Sequence, residues 1–137
     1  MHTELKALSI RQPWCRNILF DGKDVENRKW KTNFRGSVLI HAAKTFDGSA
    51  DEKRHFMAAA DHGNEGCDLG GILGIMEIVD CVDRMESPWF HGPYGFVIKK
   101  AKPLPFIPCN GALSFFSPKL TETQQSELNM ALRKSND

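Results

Sequence analysis

Tyrosine occurs once in the 137 residues, and cysteine only four times, at positions 15, 67, 81 and 109. No two cysteines form a C-x-x-C pair, so the close ligand pairs of a zinc ribbon are missing, and a small secreted disulfide scaffold would carry more of them. Four reduced thiols are expected, with Cys15 and Cys81 filling apolar runs. No uncharged apolar stretch approaches the ~18 residues that suggest a membrane span, and Met1 to Lys6 hold no apolar signal core. Both absences point to a cytoplasmic protein with no membrane partner. Neither G-x-x-x-x-G-K-[S/T] nor G-x-G-x-x-G occurs, which leaves out the phosphate-cradling loops of the common nucleotide folds. Histidines 2, 41, 55, 62 and 91 show no tight ligand spacing, even with Cys67 nearby, so neither a metal nor another cofactor is expected. Internal repeats, low-complexity tracts and linkers are also missing.

An excess of either charge is lacking too: 18 Lys+Arg stand against 17 Asp+Glu, for a net charge of +1. That balance conceals segregation. Residues 1–44 carry nine basic and four acidic side chains, residues 45–86 three and ten, and residues 87–137 six and three. A basic face on an otherwise acidic chain can hold a phosphate backbone, although solvated surface alone gives such blocks as well. Length and a 41% hydrophobic share fit one domain over 1–137 with one core, because a chain of about 150 residues hides roughly 68–70% of its unfolded surface.

Leu5 to Ile10 reads as a short strand. Pro13 suits the first turn of a helix, on which Trp14, Ile18 and Leu19 form an apolar stripe, and Asp21-Gly22 ends it. Residues 23–30 are extended but too polar for a central strand, and belong along an edge or cleft. After an Arg35-Gly36 turn, residues 37–42 form a buried, β-branched strand. Ser49 and Glu52 make a capping box for a helix to about Asp61, ended by Gly63. Residues 71–82 are the clearest strand, with two glycines that suggest bends. Residues 87–93 form an aromatic loop, 94–100 a strand, 112–116 a last short strand. Thr121 or Thr123 caps a terminal helix that turns Leu128, Ala131 and Leu132 inward. Five or six strands separated mainly by loops, with three helices, argue for an α+β domain built on a curved sheet or small barrel.

Chemistry concentrates in residues 9–42. Arg11, Gln12, Lys23, Glu26, Asn27, Arg28, Lys29, Lys31, Arg35 and His41 lie among Trp14 and Trp30. Cations neutralise phosphates with salt-sensitive affinity, and aromatic faces stack on unpaired bases. The alternative for both tryptophans is core. Lys23 and Glu26 would face apart on a straight strand but can converge just after a turn. Convergence would raise the Lys pKa, which describes a positioning clamp, whereas a nucleophilic lysine needs the opposite shift. Cys15 near a helix start is either a thiol of lowered pKa or a buried apolar filler. Glu77 and Asp80 are either two hydrolase carboxylates or a solvated strand face.

The stretch Ala7-Leu-Ser-Ile-Arg-Gln-Pro-Trp14, then Lys23-x-x-Glu26-Asn27-Arg28, Arg35-Gly36 and Ile40-His41-Ala42, resembles the ASCH domain (activating signal cointegrator homology). Gly71-x-x-Gly74, Asp80-Cys81-Val82, Ser87-Pro88-Trp89-Phe90-x-Gly92-Pro93-Tyr94-Gly95 and Gly111-Ala-Leu113 are similar to its bacterial and phage branch, so the likeness spans about residues 5–118. The resemblance implies a small PUA-like β-barrel with flanking helices and a cleft between barrel and first helix, lined by a G-x-K-x-x-E-x-R signature. It implies RNA or single-stranded nucleic acid as partner. Some members are hydrolases, among them N4-acetylcytidine amidohydrolases and a ribonuclease. Here Asp21 occupies the signature glycine position, with Gly22 one step late. The amidohydrolase threonine is Glu26, and Glu86 is the position considered for that group's distant glutamate.

On this reading Lys23, Arg28, Lys31 and Arg35 meet phosphates in one basic groove, and Glu26 orients Lys23 and Arg28. Ser9, Arg11 and Gln12 border the groove, with Trp30 or Trp89 as stacking surfaces. The enzyme alternative uses Lys23 and Glu26 as acid and base on a modified nucleoside or RNA, and needs a partly dry pocket that lowers the Lys pKa. A third alternative is a protein-interaction module that presents the acidic middle and the loop from Ser87 to Gly95.

Overall fold

The computed structural model describes residues 5–61 and 65–135. His2, His62 and Gly63, named above, lie outside the described residues. The elements run β1 (Ala7–Ile10), α1 (Trp14–Phe20), β2 (Val25–Arg28), β3 (Gly36–Ala42), α2 (Ala50–Asp61), β4 (Gly71–Val82), β5 (Tyr94–Pro108), β6 (Phe115–Phe116) and α3 (Glu122–Ser135). One six-stranded sheet has the order β2-β5-β4-β3-β1-β6; β1 pairs with β3 in parallel and every other pairing is antiparallel. The polar segment 23–30 supplies the edge strand β2, as its lack of apolar positions requires.

The sheet curls into a half-barrel, and aromatic rings hold its two ends near each other. Phe115 of β6 stacks on Phe96 of β5 at 6.1 Å between centroids, and Trp30, just past β2, meets both rings edge-on at 6.0 and 5.2 Å. Such pairs contribute about 0.5–1.5 kcal/mol each beyond their burial. Register shifts between Ile40 and His41, and at three places along the β4–β5 ladder, supply bends. The α+β class with a small, PUA-like barrel therefore holds.

Alternation along the strands divides burial between the two faces of the sheet. Leu8, Ile10, Val38 and Ile40 join Cys15 and Ile18 of α1 in one cluster, while Ala7, Leu39 and Ile72 join Leu128 and Ala131 of α3 in another. The expected single core is thus two layers, one under α1 and one under α3, on a shared sheet. Gly74 sets the approach of α1: a Cβ there would stand 2.7 Å from Leu19 Cδ2 and 3.0 Å from the Lys102 carbonyl.

The expected strand at 94–100 continues to Pro108. Beyond Val97, β5 has no β2 partner on its outer side, and an edge position tolerates Pro103, Pro105 and Pro108. Conversely, the expected strand at 112–116 shrinks to two residues. The Ser49–Glu52 capping box forms, with reciprocal bonds of 3.0 and 3.1 Å, and Thr121 with Gln124 builds the same device on α3. No helix of the described residues is long and apolar enough to cross a membrane.

Candidate nucleic-acid interface

All three tryptophans of the chain converge on one cavity of about 710 Å³ beside α1. Trp14 comes from the start of α1, Trp30 from the end of the β2 segment, and Trp89 from the aromatic loop. Trp14 packs on the core, as its helical stripe implies, and also lines the cavity, where its indole N–H donates to Asp47 Oδ2 at 2.8 Å. The loop is fixed by a side chain that sequence reasoning left without a role. Asn27 of β2 donates to the Trp89 carbonyl (3.0 Å), and its own carbonyl oxygen accepts from the backbone N–H groups of His91 and Gly92 (2.8 and 3.1 Å). One amide so positions Trp89 against β2.

Lys23 is buried in the wall, at 4% exposure, and donates to the Val25 carbonyl at 2.6 Å. Its Nζ lies 5.6 Å from the Trp14 ring centroid and 5.8 Å from that of Trp89, within cation–π range of both. The expected ion pair with Glu26 does not form. Glu26 pairs instead with Arg28, Oε2 to Nε at 3.1 Å, and Arg28 Nη2 donates to the Ser9 carbonyl at 2.9 Å, tying β2 to β1. The expected rise of the Lys23 pKa is accordingly reversed: burial holds it below the ordinary lysine value, only partly offset by Glu26 and Asp24. Burial also pushes Glu26 up toward its neutral form against the pull of Arg28 and Lys23.

Ser9 borders the cavity through β1, directly opposite His41 in the β1–β3 register. His41 Nε2 lies 2.8 Å from the Cys109 carbonyl, which can only accept, so Nε2 carries the proton and Nδ1 accepts from Ser9 Oγ at 3.1 Å. Burial lowers the His41 pKa and keeps this neutral tautomer. Arg11 and Lys29 are exposed on the cavity, and Ala112, Leu113 and Ser114 line it as well. The lining carries four cations against the carboxylates of Glu26 and Asp47.

Three expected members lie elsewhere. Gln12 is fully buried; it donates to the carbonyls of Gly66 and Asp68 and accepts from the Arg16 N–H, so it anchors a loop rather than bordering the cavity. Lys31 and Arg35 line a second cavity of about 450 Å³. The single groove from 11 to 35 is therefore two cavities, divided where Trp30 gives way to Lys31. Glu86 is exposed and lines neither. Glu77 faces Lys100 at 3.7 Å and Asp80 faces Arg35 at 3.7 Å, as on a solvated strand face. Cys15 is filler: buried, donating to the Ile10 carbonyl, its thiol pKa driven well up by burial. Cys81 is only partly buried, and all four cysteines are free. Among the described residues, no group of three or more His, Cys, Asp and Glu is placed to hold a metal ion.

Asp47 and the 112–114 segment went unrecognised as lining because both sit in irregular loops brought in by distant strands. Trp14 bonding to Asp47 is a long-range contact that no local pattern announces.

No curated protein matches the sequence. The family model for the ASCH domain matches residues 8–105, a span that holds all but the first residue of β1, then α1, the Lys23–Arg28 segment, the aromatic loop and most of β5. With well over half its length inside that match, the chain belongs to the ASCH domain family.

Proposed function

We propose that the protein binds RNA or another single-stranded nucleic acid by taking one unpaired base into the tryptophan-lined cavity. The observation that carries this reading is the convergence of Trp14, Trp30 and Trp89 on one cavity, with the buried ammonium of Lys23 beside the first and last of them. A cavity of about 710 Å³ falls within the range that holds a small ligand. Exposed Arg11 and Lys29 stand at its rim, where a phosphate can approach without leaving water. Lys23 and Arg28 are buried or half-buried, so they serve the base and the wall more than a backbone passing outside. Stacking supplies about 1–3 kcal/mol per base, so Trp89→Ala is expected to weaken binding of a labelled pentanucleotide roughly 5- to 150-fold. Anisotropy titrations at fixed salt check this. An unchanged Kd in a folded Trp89→Ala protein overturns the reading.

A second reading is favoured by one observation, the depressed pKa of Lys23 beside a carboxyl held toward neutrality. An amine and an acid each drawn toward its neutral form suit proton transfer, as in a hydrolase of the family's N4-acetylcytidine amidohydrolase or ribonuclease kind, with Lys23 and Glu26 as acid and base. Incubation with N4-acetylcytidine and with RNA separates the two readings. Release of cytidine or cleaved RNA above a Lys23→Ala control supports the enzyme, and its absence at high enzyme concentration rejects it.

A further inference from the structure

From the second cavity we infer a separate phosphodiester site that takes the nucleotide next to the one in the tryptophan-lined cavity. The inference rests on the binding reading above and extends it along the strand. The linings of the two cavities are neighbours along the chain and across one strand pair. Trp30 lines the first and Lys31 the second, one residue step of ~3.8 Å apart along the chain. Arg28 lines the first and Tyr94 the second, and these two face each other in the β2–β5 register, a Cα separation of about 4.5–5.5 Å. On this inference a strand with one base in the first cavity passes over this edge into the second.

The chemistry of the second cavity suits an anion carried by an aromatic-stacking ligand. Lys31 is exposed and its Nζ stands 5.5 Å from the Tyr94 ring centroid. The Arg35 guanidinium is pre-oriented: Nη1 donates to the carbonyls of Thr32 (3.1 Å) and Phe34 (2.9 Å). Its ion pair with Asp80, at 3.7 Å between half-exposed side chains, is of the weak surface kind. Arg84 adds a third cation, 93% exposed, with Asp83 at 3.9 Å as the lining carboxylate. Three cations against Asp83 in the lining and Asp80 beside it, around a single tyrosine face, match a nucleotide's phosphate and flanking base better than a free inorganic anion. The first cavity differs in presenting three indoles and in burying Lys23, whereas Lys31, Arg35 and Arg84 of the second are all exposed.

The test compares a 5′-mononucleotide with a single-stranded pentanucleotide of the same base, in the wild type and in Lys31→Ala/Arg35→Ala. The double variant is expected to bind the mononucleotide as the wild type does, and to lose at least tenfold in pentanucleotide affinity at low salt. Two lost phosphate contacts should also flatten the slope of log K against log[salt] by about 1.4. Lys31→Gln alone, at an exposed position outside the core, should flatten it by about 0.7 and keeps the test valid if the double variant folds poorly. An unchanged pentanucleotide slope in both variants overturns the inference, as does a wild type that binds the pentanucleotide no tighter than the mononucleotide. A wild type that binds neither probe defeats the first-cavity reading and this one together.

Discussion

His41 shows how one buried side chain couples the site to pH. Its Nε2–H is committed to the Cys109 carbonyl and its Nδ1 to the Ser9 hydroxyl, and burial disfavours the imidazolium. The folded pKa therefore lies below the unfolded value near 6.5. Between the two, the unfolded chain binds the extra proton, so stability is full above pH ~6.5 and falls as the pH drops toward the folded pKa. Chemical denaturation at a series of pH values should show this loss, and His41→Gln should be less stable at neutral pH but flatter below 6.5. A variant with the wild-type slope contradicts the assignment. The sequence placed His41 and Ser9 in one block without revealing that they face each other, since that follows from parallel pairing of strands about thirty residues apart. Lys23 was legible as a special residue, yet its partner was not. Glu26 chooses Arg28 because both side chains leave the same face of β2 two residues apart, while the Lys23 ammonium turns back to the Val25 carbonyl.

At the scale of elements, local signals were dependable where local chemistry decides. β4 begins and ends at the residues its composition sets, and both capping boxes form. β5 outruns its sequence signal because prolines argue against a strand only when both edges are paired. β6 was read too long because its pairing with β1 covers just two residues. The packing of α1 on the sheet turns on Gly74, whose missing Cβ leaves room for Leu19 and the Lys102 carbonyl. Gly74→Val should cost about 1–3 kcal/mol by overpacking, read as a lowered midpoint in urea with an unchanged slope. Because α1 carries Trp14, the same variant should also weaken nucleic-acid binding. Full stability would show that the helix does not press on the sheet there.

The whole molecule is a curled sheet whose far-separated segments meet at one mouth, and this convergence is what a linear reading could not supply. Charge blocks pointed to a basic groove. Folding divides those cations between an indole-walled cavity and a second cavity lined by Lys31 and Arg35, and buries or pairs several of them. Aromatic content was the better guide, because the interior can use indole faces only where the chain brings them together. The central claim is that the tryptophan-lined cavity receives a base. The three indole N–H resonances of the folded protein, titrated with a short single-stranded RNA, report on it directly. Base stacking should move the Trp89 resonance most, with Trp14 and Trp30 following, in a single saturable step, and Trp89→Phe should assign the leading signal. RNA that binds while all three indole signals stay in place would contradict the account.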